Sequence, residues 1–267
     1  MDVADKRAEV AGIELFWREA AWPEGRSPVL YVHGSPTNSD DWLPFLERTG
    51  GLAPDLPGFG RSDKPAHFPY TIEGFSGTLE AFLAQHGVDR YSLVAHDWGG
   101  AALALAQRAP ERVERLVLMN CVPLLPGYRW HRLARVWRAP LAGELFMGSS
   151  TRWAVQRLLR PVTTAPDVLI DSIWDHFDHG TQRAILKLYR SAPPSLLARA
   201  GERLGELRCP ALIVWGEDDP YIPAAFAQRF ADALGGDTRV EILPGVRHWP
   251  WIDDPRVVQT VAEFLGD

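Results

Sequence analysis

Short apolar runs alternate with helix-like stretches along most of this chain, and this alternation is what most limits its possible folds. Each run is rich in Val, Leu or Ile and is bounded by Gly, Pro or polar residues, which is typical of buried strands. The predicted strands are 28–33, 91–96, 115–120, 211–216 and 238–243, and the predicted helices are 71–86, 99–109, 223–234 and 255–265. The pattern predicts an α/β fold with a mostly parallel central sheet flanked by helices.

The alternation stops between about residues 122 and 207, where helical patterns dominate and several tryptophans occur. The strand pattern resumes after Cys209–Pro210, so this stretch is expected to leave and re-enter the sheet domain at its carboxyl edge. We therefore predict a core domain made of residues 1–121 and 208–267, with a helical cap at 122–207. A cap in that position would roof an active site.

Composition and charge exclude several classes of function. The net charge is −6, which argues against the concentrated basic surface that nucleic acid requires. The chain has only two cysteines, too few for a disulfide framework and without the spacing of a zinc site. No apolar run approaches the length of a membrane span, roughly 18 residues, and the first residues lack an apolar targeting segment. We expect a cytoplasmic enzyme, monomeric or homodimeric, with no membrane partner.

The strongest local signal is the segment Val-Ala-His-Asp-Trp-Gly-Gly at 94–100, which follows a predicted strand and opens a predicted helix. It fits a nucleophile elbow, in which a sharp, strained turn presents the nucleophile and small neighbours let strand and helix approach closely. The central residue is Asp97 rather than Ser or Cys. By itself Asp97 could also be a helix N-cap, because a carboxylate suits that position.

Three further segments occur in the order that such a site requires. A backbone N–H in His-Gly-Ser-Pro at 33–36, assigned to Ser35, can pair with that of Trp98 to hold an oxyanion. The acid is expected at Asp219, directly before a proline, although Glu217 and Asp218 stay open. His248 lies in the loop after the last predicted strand and is the expected base.

Asn120 occupies another position where such folds can carry the acid, and its amide cannot serve as one. The acid is therefore expected among the carboxylates that follow the strand at 211–216, which gives the chain order nucleophile, acid, histidine.

Together these segments resemble the α/β-hydrolase superfamily over essentially the whole chain. The aspartate at position 97 resembles specifically the branch of epoxide hydrolases and haloalkane dehalogenases. The resemblance implies that Asp97 attacks an sp³ carbon to form an alkyl ester. His248 then activates water to hydrolyse that ester, while the N–H groups of Ser35 and Trp98 stabilise the oxyanion. It implies no metal or cofactor.

The two families differ in how they stabilise the leaving group. Epoxide hydrolases resemble this chain in having a cap tyrosine followed by arginine, here Tyr189 before Arg190, and their second cap tyrosine would be Tyr128. Haloalkane dehalogenases resemble it in Trp98 and in the loop at 55–65, but many have asparagine where this chain has Ser35. The resemblance favours epoxide hydrolysis, with haloalkane dehalogenation as the alternative.

Two other interpretations are less favoured. The chain is also similar to fluoroacetate dehalogenases, but these have an arginine directly after the nucleophile, where this chain has Trp98. A fold of this kind can also lose catalysis and become a ligand-binding protein, against which the complete set Asp97, Asp219 and His248 argues. The eleven tryptophans, including Trp98 and Trp249, predict an apolar pocket for small, neutral organic substrates that react with water.

Overall fold

Eight strands form one central sheet in the computed structural model, which describes residues 1–266. The strands are β1 (Val3–Val10), β2 (Ile13–Ala20), β3 (Val29–Val32), β4 (Gly51–Pro54), β5 (Tyr91–His96), β6 (Val113–Met119), β7 (Ala211–Gly216) and β8 (Thr238–Leu243). Their order across the sheet is β1-β2-β4-β3-β5-β6-β7-β8. Neighbours from β4 to β8 are parallel, whereas β2 is antiparallel to both β1 and β4. The predicted fold class is confirmed.

Helices cover both faces of the sheet. They are α1 (Leu43–Thr49), α2 (Ile72–Gln85), α3 (Ala102–Ala106), α4 (Arg132–Arg138), α5 (Ala142–Gly148), α6 (Arg152–Leu159), α7 (Pro166–Trp174), α8 (His179–Ser191), α9 (Pro194–Ala200), α10 (Ala225–Ala233), α11 (Pro250–Asp253) and α12 (Arg256–Leu265). Within β5, Leu93 and Ala95 face the layer that contains α2, α3 and α10. Val94, between them, faces the layer of α1 and α12. Both faces of the inner strands are thus apolar, as parallel sheets require.

The chain between β6 and β7, residues 120–210, forms a helical insertion. It contains α4 to α9 and a 3₁₀ turn at Leu204–Glu206, with no strand among these residues. Ala184 and Tyr189 of α8 pack into the hydrophobic layer of α2, and Ile170 of α7 packs into that of α1. The insertion is therefore anchored to both faces of the sheet.

The sequence patterns miss three strands and misplace one helix. β1 and β2 form an antiparallel hairpin at the sheet edge, where β1 is mostly exposed and so carries no apolar run. β4 has only four residues. The helix predicted at 99–109 is instead a 3₁₀ turn over Asp97–Ala101 followed by the short α3, because the elbow tightens its first turn.

None of the helices in the described part of the chain combines the length and apolar composition needed to span a lipid bilayer.

Candidate active site

Asp97 sits on a strained turn directly after β5. Its φ of 48° lies in the left-handed region, which is costly for a residue with a side chain. The surrounding backbone is packed so closely that a Cβ at Gly34 would lie 2.5 Å from the Asp97 Cβ, and one at Gly99 would lie 2.0 Å from the Val32 carbonyl oxygen. The glycines are therefore a steric requirement of the elbow.

The two oxygens of Asp97 have different surroundings. Oδ2 accepts a hydrogen bond from the Ser35 backbone N–H at 2.9 Å, and Oδ1 lies 3.8 Å from His248 Nε2. Burial raises the pKa of Asp97, while the charge of His248 and the backbone N–H groups of Ser35 and Trp98 act against this. The Ser35 N–H, which is expected in the oxyanion pocket, thus contacts Oδ2, whereas Oδ1 faces His248.

Asp219 is the carboxylate that contacts the histidine. Its Oδ2 accepts from His248 Nδ1 at 2.8 Å, and its Oδ1 accepts from the backbone N–H groups of Tyr221 and Ile222 at 2.7 and 3.1 Å. Although burial acts to raise the pKa of Asp219, the charge of His248 and these hydrogen bonds hold it below its ordinary value. The alternatives, Glu217 and Asp218, are exposed. Of the three candidate carboxylates, Asp219 is therefore the one in contact with His248.

His248 is buried between the two carboxylates. Burial acts to lower its pKa, but the charge and hydrogen bond of Asp219, together with the charge of Asp97, raise it above the ordinary value. Because Nδ1 donates to Asp219, Nε2 carries the free lone pair of the neutral ring and faces the cavity side of Asp97. This tautomer can accept a proton from water.

Asn120 has a role that sequence reasoning missed. It follows β6 with a φ of 43°, its Nδ2 donates to Asp219 Oδ2 at 2.6 Å, and its Oδ1 accepts from the Gly216 N–H at 3.1 Å. It therefore fixes the acid from the neighbouring strand. Its place at the end of a strand is the sequence signal that could have indicated this role.

A small cavity of about 60 Å³ lies above Asp97, between the sheet edge and the helical insertion. Most of its wall is apolar. The polar or titratable lining residues are Ser35, Asp97, Tyr128, His131, Ser150, Tyr189, Tyr221 and His248. Trp249 also lines it, whereas Trp98 does not. The expectation that the Trp98 side chain forms the substrate wall is corrected, because its indole is stacked under Trp130 with ring centroids 5.3 Å apart.

Comparison with known proteins identifies the fold family. A family model described as the alpha/beta hydrolase fold matches residues 27–255. The chain belongs to the α/β-hydrolase family. This confirms the resemblance seen in the sequence, and the aspartate elbow fits the aspartate-nucleophile branch.

The proteins similar to this hydrolase include haloalkane dehalogenases and an epoxide hydrolase. A haloalkane dehalogenase of Bradyrhizobium diazoefficiens is 28% identical, with 100% of this chain and 95% of the relative covered. Epoxide hydrolase 3 of Xenopus tropicalis is 26% identical over 98% of this chain and 77% of the relative. The crystal structure of haloalkane dehalogenase DbeA from Bradyrhizobium elkani superposes with a TM-score of 0.85 at 25% identity, covering 99% of this chain and 98% of that one.

The two cap tyrosines expected from the sequence both reach the cavity of this hydrolase, and they differ in environment. The Tyr128 hydroxyl donates to the Tyr221 carbonyl at 3.4 Å. Tyr189 is 4% exposed, and burial together with the charge of Asp97 raises its pKa well above the ordinary value. The indole N–H of Trp98 acts to lower the pKa of Tyr189, against the effect of burial. This N–H nevertheless makes no hydrogen bond of normal geometry within residues 1–266. Burial also raises the pKa of Tyr128, so both phenols stay protonated.

The histidine loop of the hydrolase is tied to the helical insertion. The His248 N–H donates to the Val162 carbonyl at 3.1 Å, and Arg247 donates to the carbonyls of Arg160 and Thr163, both at 3.0 Å. Asp253 accepts from the Thr163 hydroxyl and from the Thr164 N–H, at 3.0 and 2.7 Å. The segment between α6 and α7 and the loop of the base thus form one hydrogen-bonded unit.

Proposed function

We propose that this hydrolase opens small apolar epoxides to vicinal diols through a covalent ester on Asp97. The observation that carries the proposal is that Tyr128 and Tyr189 both line the cavity above Asp97. A phenol can donate a proton to the oxygen of an opening epoxide, whereas a departing halide needs no proton. Ser35 stands where many haloalkane dehalogenases have an asparagine.

In the first step, Asp97 Oδ1 attacks a ring carbon of the epoxide. The C–O bond of the ring breaks, and its electron pair moves to the ring oxygen, which takes the hydroxyl proton of Tyr189. The first product is a hydroxyalkyl ester of Asp97 with Tyr189 as phenolate. Oδ2 keeps its hydrogen bond from the Ser35 N–H, which supports Oδ1 as the attacking atom.

In the second step, water hydrolyses the ester. His248 Nε2 takes a proton from water, and the resulting hydroxide attacks Cγ of Asp97. The negative charge that develops on Oδ2 is stabilised by the N–H groups of Ser35 and Trp98. Collapse of the tetrahedral intermediate breaks the bond between Cγ and the alkyl oxygen. The leaving alkoxide takes the proton of the new carboxyl group, which gives the diol and the Asp97 carboxylate, and the proton on His248 returns to the Tyr189 phenolate. The scheme uses only water and side chains of this chain.

The helical insertion would serve as the cap of this site, with the core formed by residues 1–121 and 208–267 as expected from the sequence. It supplies Tyr128, Tyr189 and most of the apolar wall of the cavity. A mostly apolar enclosure strengthens the electrostatic interactions of Asp97 and excludes bulk water. It also favours neutral substrates over charged ones.

Haloalkane dehalogenation is a second candidate with its own support. The indole N–H of Trp137, which lines the cavity, is buried without a hydrogen-bond partner in residues 1–266. The Trp137 ring contacts Tyr189 edge-on, with centroids 4.8 Å apart. Such an N–H is a weakly acidic donor of the kind that a departing halide needs, and two of the relatives above carry the dehalogenase name. A ligand-binding protein without turnover is the third, opposed by the intact Asp97–His248–Asp219 arrangement.

The test is to trap the ester in a His248→Gln variant, which lacks the base for water. The variant is incubated separately with styrene oxide and with 1-bromohexane, and intact mass is followed by peptide mapping. A gain equal to the epoxide mass on Asp97 supports epoxide hydrolysis, and a hexyl gain alone supports dehalogenation. The Asp97→Asn variant is the control for labelling elsewhere. No adduct with either reagent on folded protein would contradict the ester mechanism.

A further inference from the structure

His131 is a cavity residue to which the proposed chemistry assigns no task. It lines the cavity and is also the N-cap of α4, where its Nδ1 accepts from the Ala134 N–H at 3.3 Å. Because Nδ1 accepts, the neutral ring carries its proton on Nε2. The ring is half-buried, and no hydrogen bond from this second nitrogen to another group is formed within residues 1–266. His131 therefore has one N–H donor, on Nε2, that no other group of residues 1–266 accepts.

The ring is held in a fixed place relative to the reacting groups. It packs on Tyr221 with centroids 4.4 Å apart, and Tyr221 in turn packs edge-on against His248 at 5.1 Å. The Tyr189 ring is 6.3 Å away. His131 thus lies beside Tyr189 on the Tyr221 side of the cavity.

The charge state of the ring suits a neutral donor. Burial, with a smaller contribution from the charge of His248, lowers the pKa of His131 to about 4, although Asp219 acts in the opposite direction. At neutral pH the ring is therefore uncharged. A neutral N–H in an apolar wall favours a ligand with an acceptor oxygen and disfavours an isosteric hydrocarbon, which would leave the donor unpaired.

We propose that His131 is a specificity-determining residue whose Nε2–H binds an ether, ester or hydroxyl oxygen close to the reacting carbon of the substrate. The favoured substrates are then glycidyl ethers and related oxygenated epoxides rather than simple alkyl epoxides. The choice of epoxides as substrates rests on the proposed function. The role of His131 as a donor to a ligand oxygen does not depend on it.

Two variants separate the donor from the helix cap. His131→Ser keeps an N-cap oxygen for the Ala134 N–H and removes the distal donor. Thr151→Ala is the matched control, because the Thr151 hydroxyl caps α6 by accepting from the Ala154 N–H at 3.2 Å. It loses a helix cap of the same insertion but leaves His131 unchanged. A structural effect of capping would therefore appear in the control as well.

The experiment measures binding of two diols by calorimetry. They are 3-phenoxy-1,2-propanediol and 4-phenyl-1,2-butanediol, which differ by an ether oxygen in place of a methylene. The ratio of the two affinities in the wild type should exceed that in His131→Ser by about fivefold, the value of one neutral hydrogen bond. In Thr151→Ala the ratio should stay within about twofold of the wild type, by the same measure. Values of kcat/KM for the two parent epoxides should follow the same pattern.

The outcomes distinguish this proposal from the epoxide function. An unchanged ratio in His131→Ser, or no binding of either diol to the wild type, overturns the role of His131. A ratio that falls in His131→Ser but not in Thr151→Ala supports it. If that pattern appears while neither epoxide is hydrolysed, the donor assignment stands and the epoxide function fails.

Discussion

Tyr189 packs edge-on against the indole of Trp98, with ring centroids 5.2 Å apart and an interplanar angle of 79°. Trp130 and Trp137 contact the same phenol ring at 5.0 and 4.8 Å. Three indoles therefore fix the phenol above the nucleophile before any substrate binds. Such pre-organisation means that little side-chain entropy is lost when the hydroxyl meets a substrate oxygen.

Tyr189→Phe should slow alkylation by an epoxide by about a hundredfold, the lower range for loss of a general acid. Tyr128→Phe should have a smaller effect, because the Tyr128 hydroxyl already donates to the Tyr221 carbonyl. Stopped-flow measurement of tryptophan fluorescence in single turnovers gives both rates. An epoxide rate that is unchanged in Tyr189→Phe would eliminate it as the proton donor.

Hydrolysis of the ester should depend on pH through His248. The base must be neutral, and Asp219 holds its pKa above the ordinary value of 6.5, against the effect of burial. The hydrolysis rate should therefore rise with pH and reach half its maximum above pH 6.5. Asp219→Asn should move this midpoint to lower pH and lower the maximal rate by a hundredfold or more, on the order of effects seen in related triads. Quenched-flow mass spectrometry between pH 5 and 9 measures the step, and a flat profile would contradict the assignment.

Asp41 should make the folded state less stable as pH rises. This carboxyl is buried, its Oδ2 has no hydrogen-bond partner in residues 1–266, and burial raises its pKa to about 8. Between the unfolded and the folded pKa, only the folded state keeps the proton. The contribution of Asp41 to the free energy of unfolding therefore falls with pH, by up to about 1.4 kcal/mol per unit.

Asp41→Asn removes this titration while keeping a polar side chain of similar size. Urea unfolding of both proteins should show the variant gaining stability relative to the wild type from pH 5 to 8. Equal slopes of stability against pH in the two proteins would show that Asp41 does not titrate as expected.

Gly34→Ala should damage the elbow, because the new methyl would lie 2.5 Å from the Asp97 Cβ and 2.6 Å from its Oδ2. We expect a loss of at least about a hundredfold in kcat/KM, since small misplacements of reacting groups have such effects. Gly77→Ala is the control: Gly77 lies in α2 with open space around it, and the exchange should stabilise the protein by about 0.5–1 kcal/mol. Activity and thermal unfolding of the pair would show whether the effect at Gly34 is local.

The sequence was most informative where a single residue type decides the local structure. The strands at 91–96, 211–216 and 238–243 were predicted with the observed bounds, because their apolar residues end at polar or glycine-rich turns. Asp219 could be preferred because it directly precedes a proline. Asn120 could not be connected with Asp219 in the same way, since their hydrogen bond joins residues 99 positions apart. The position of the Trp98 indole depends likewise on Trp130 and Tyr189, whose packing no local pattern specifies.

The hydrogen bonds between the histidine loop and the segment after α6 limit how the cavity can enlarge. A cavity of about 60 Å³ must expand to admit a bulky alkyl group, and pushing residues 160–164 outwards would pull on the guanidinium of Arg247 and on the backbone of His248. A substrate too large for the cavity would then still alkylate Asp97 but leave the base out of line with the ester. Such a substrate would leave a slowly hydrolysed ester on Asp97. The largest acceptable substrates would therefore act as slow inactivators of the enzyme.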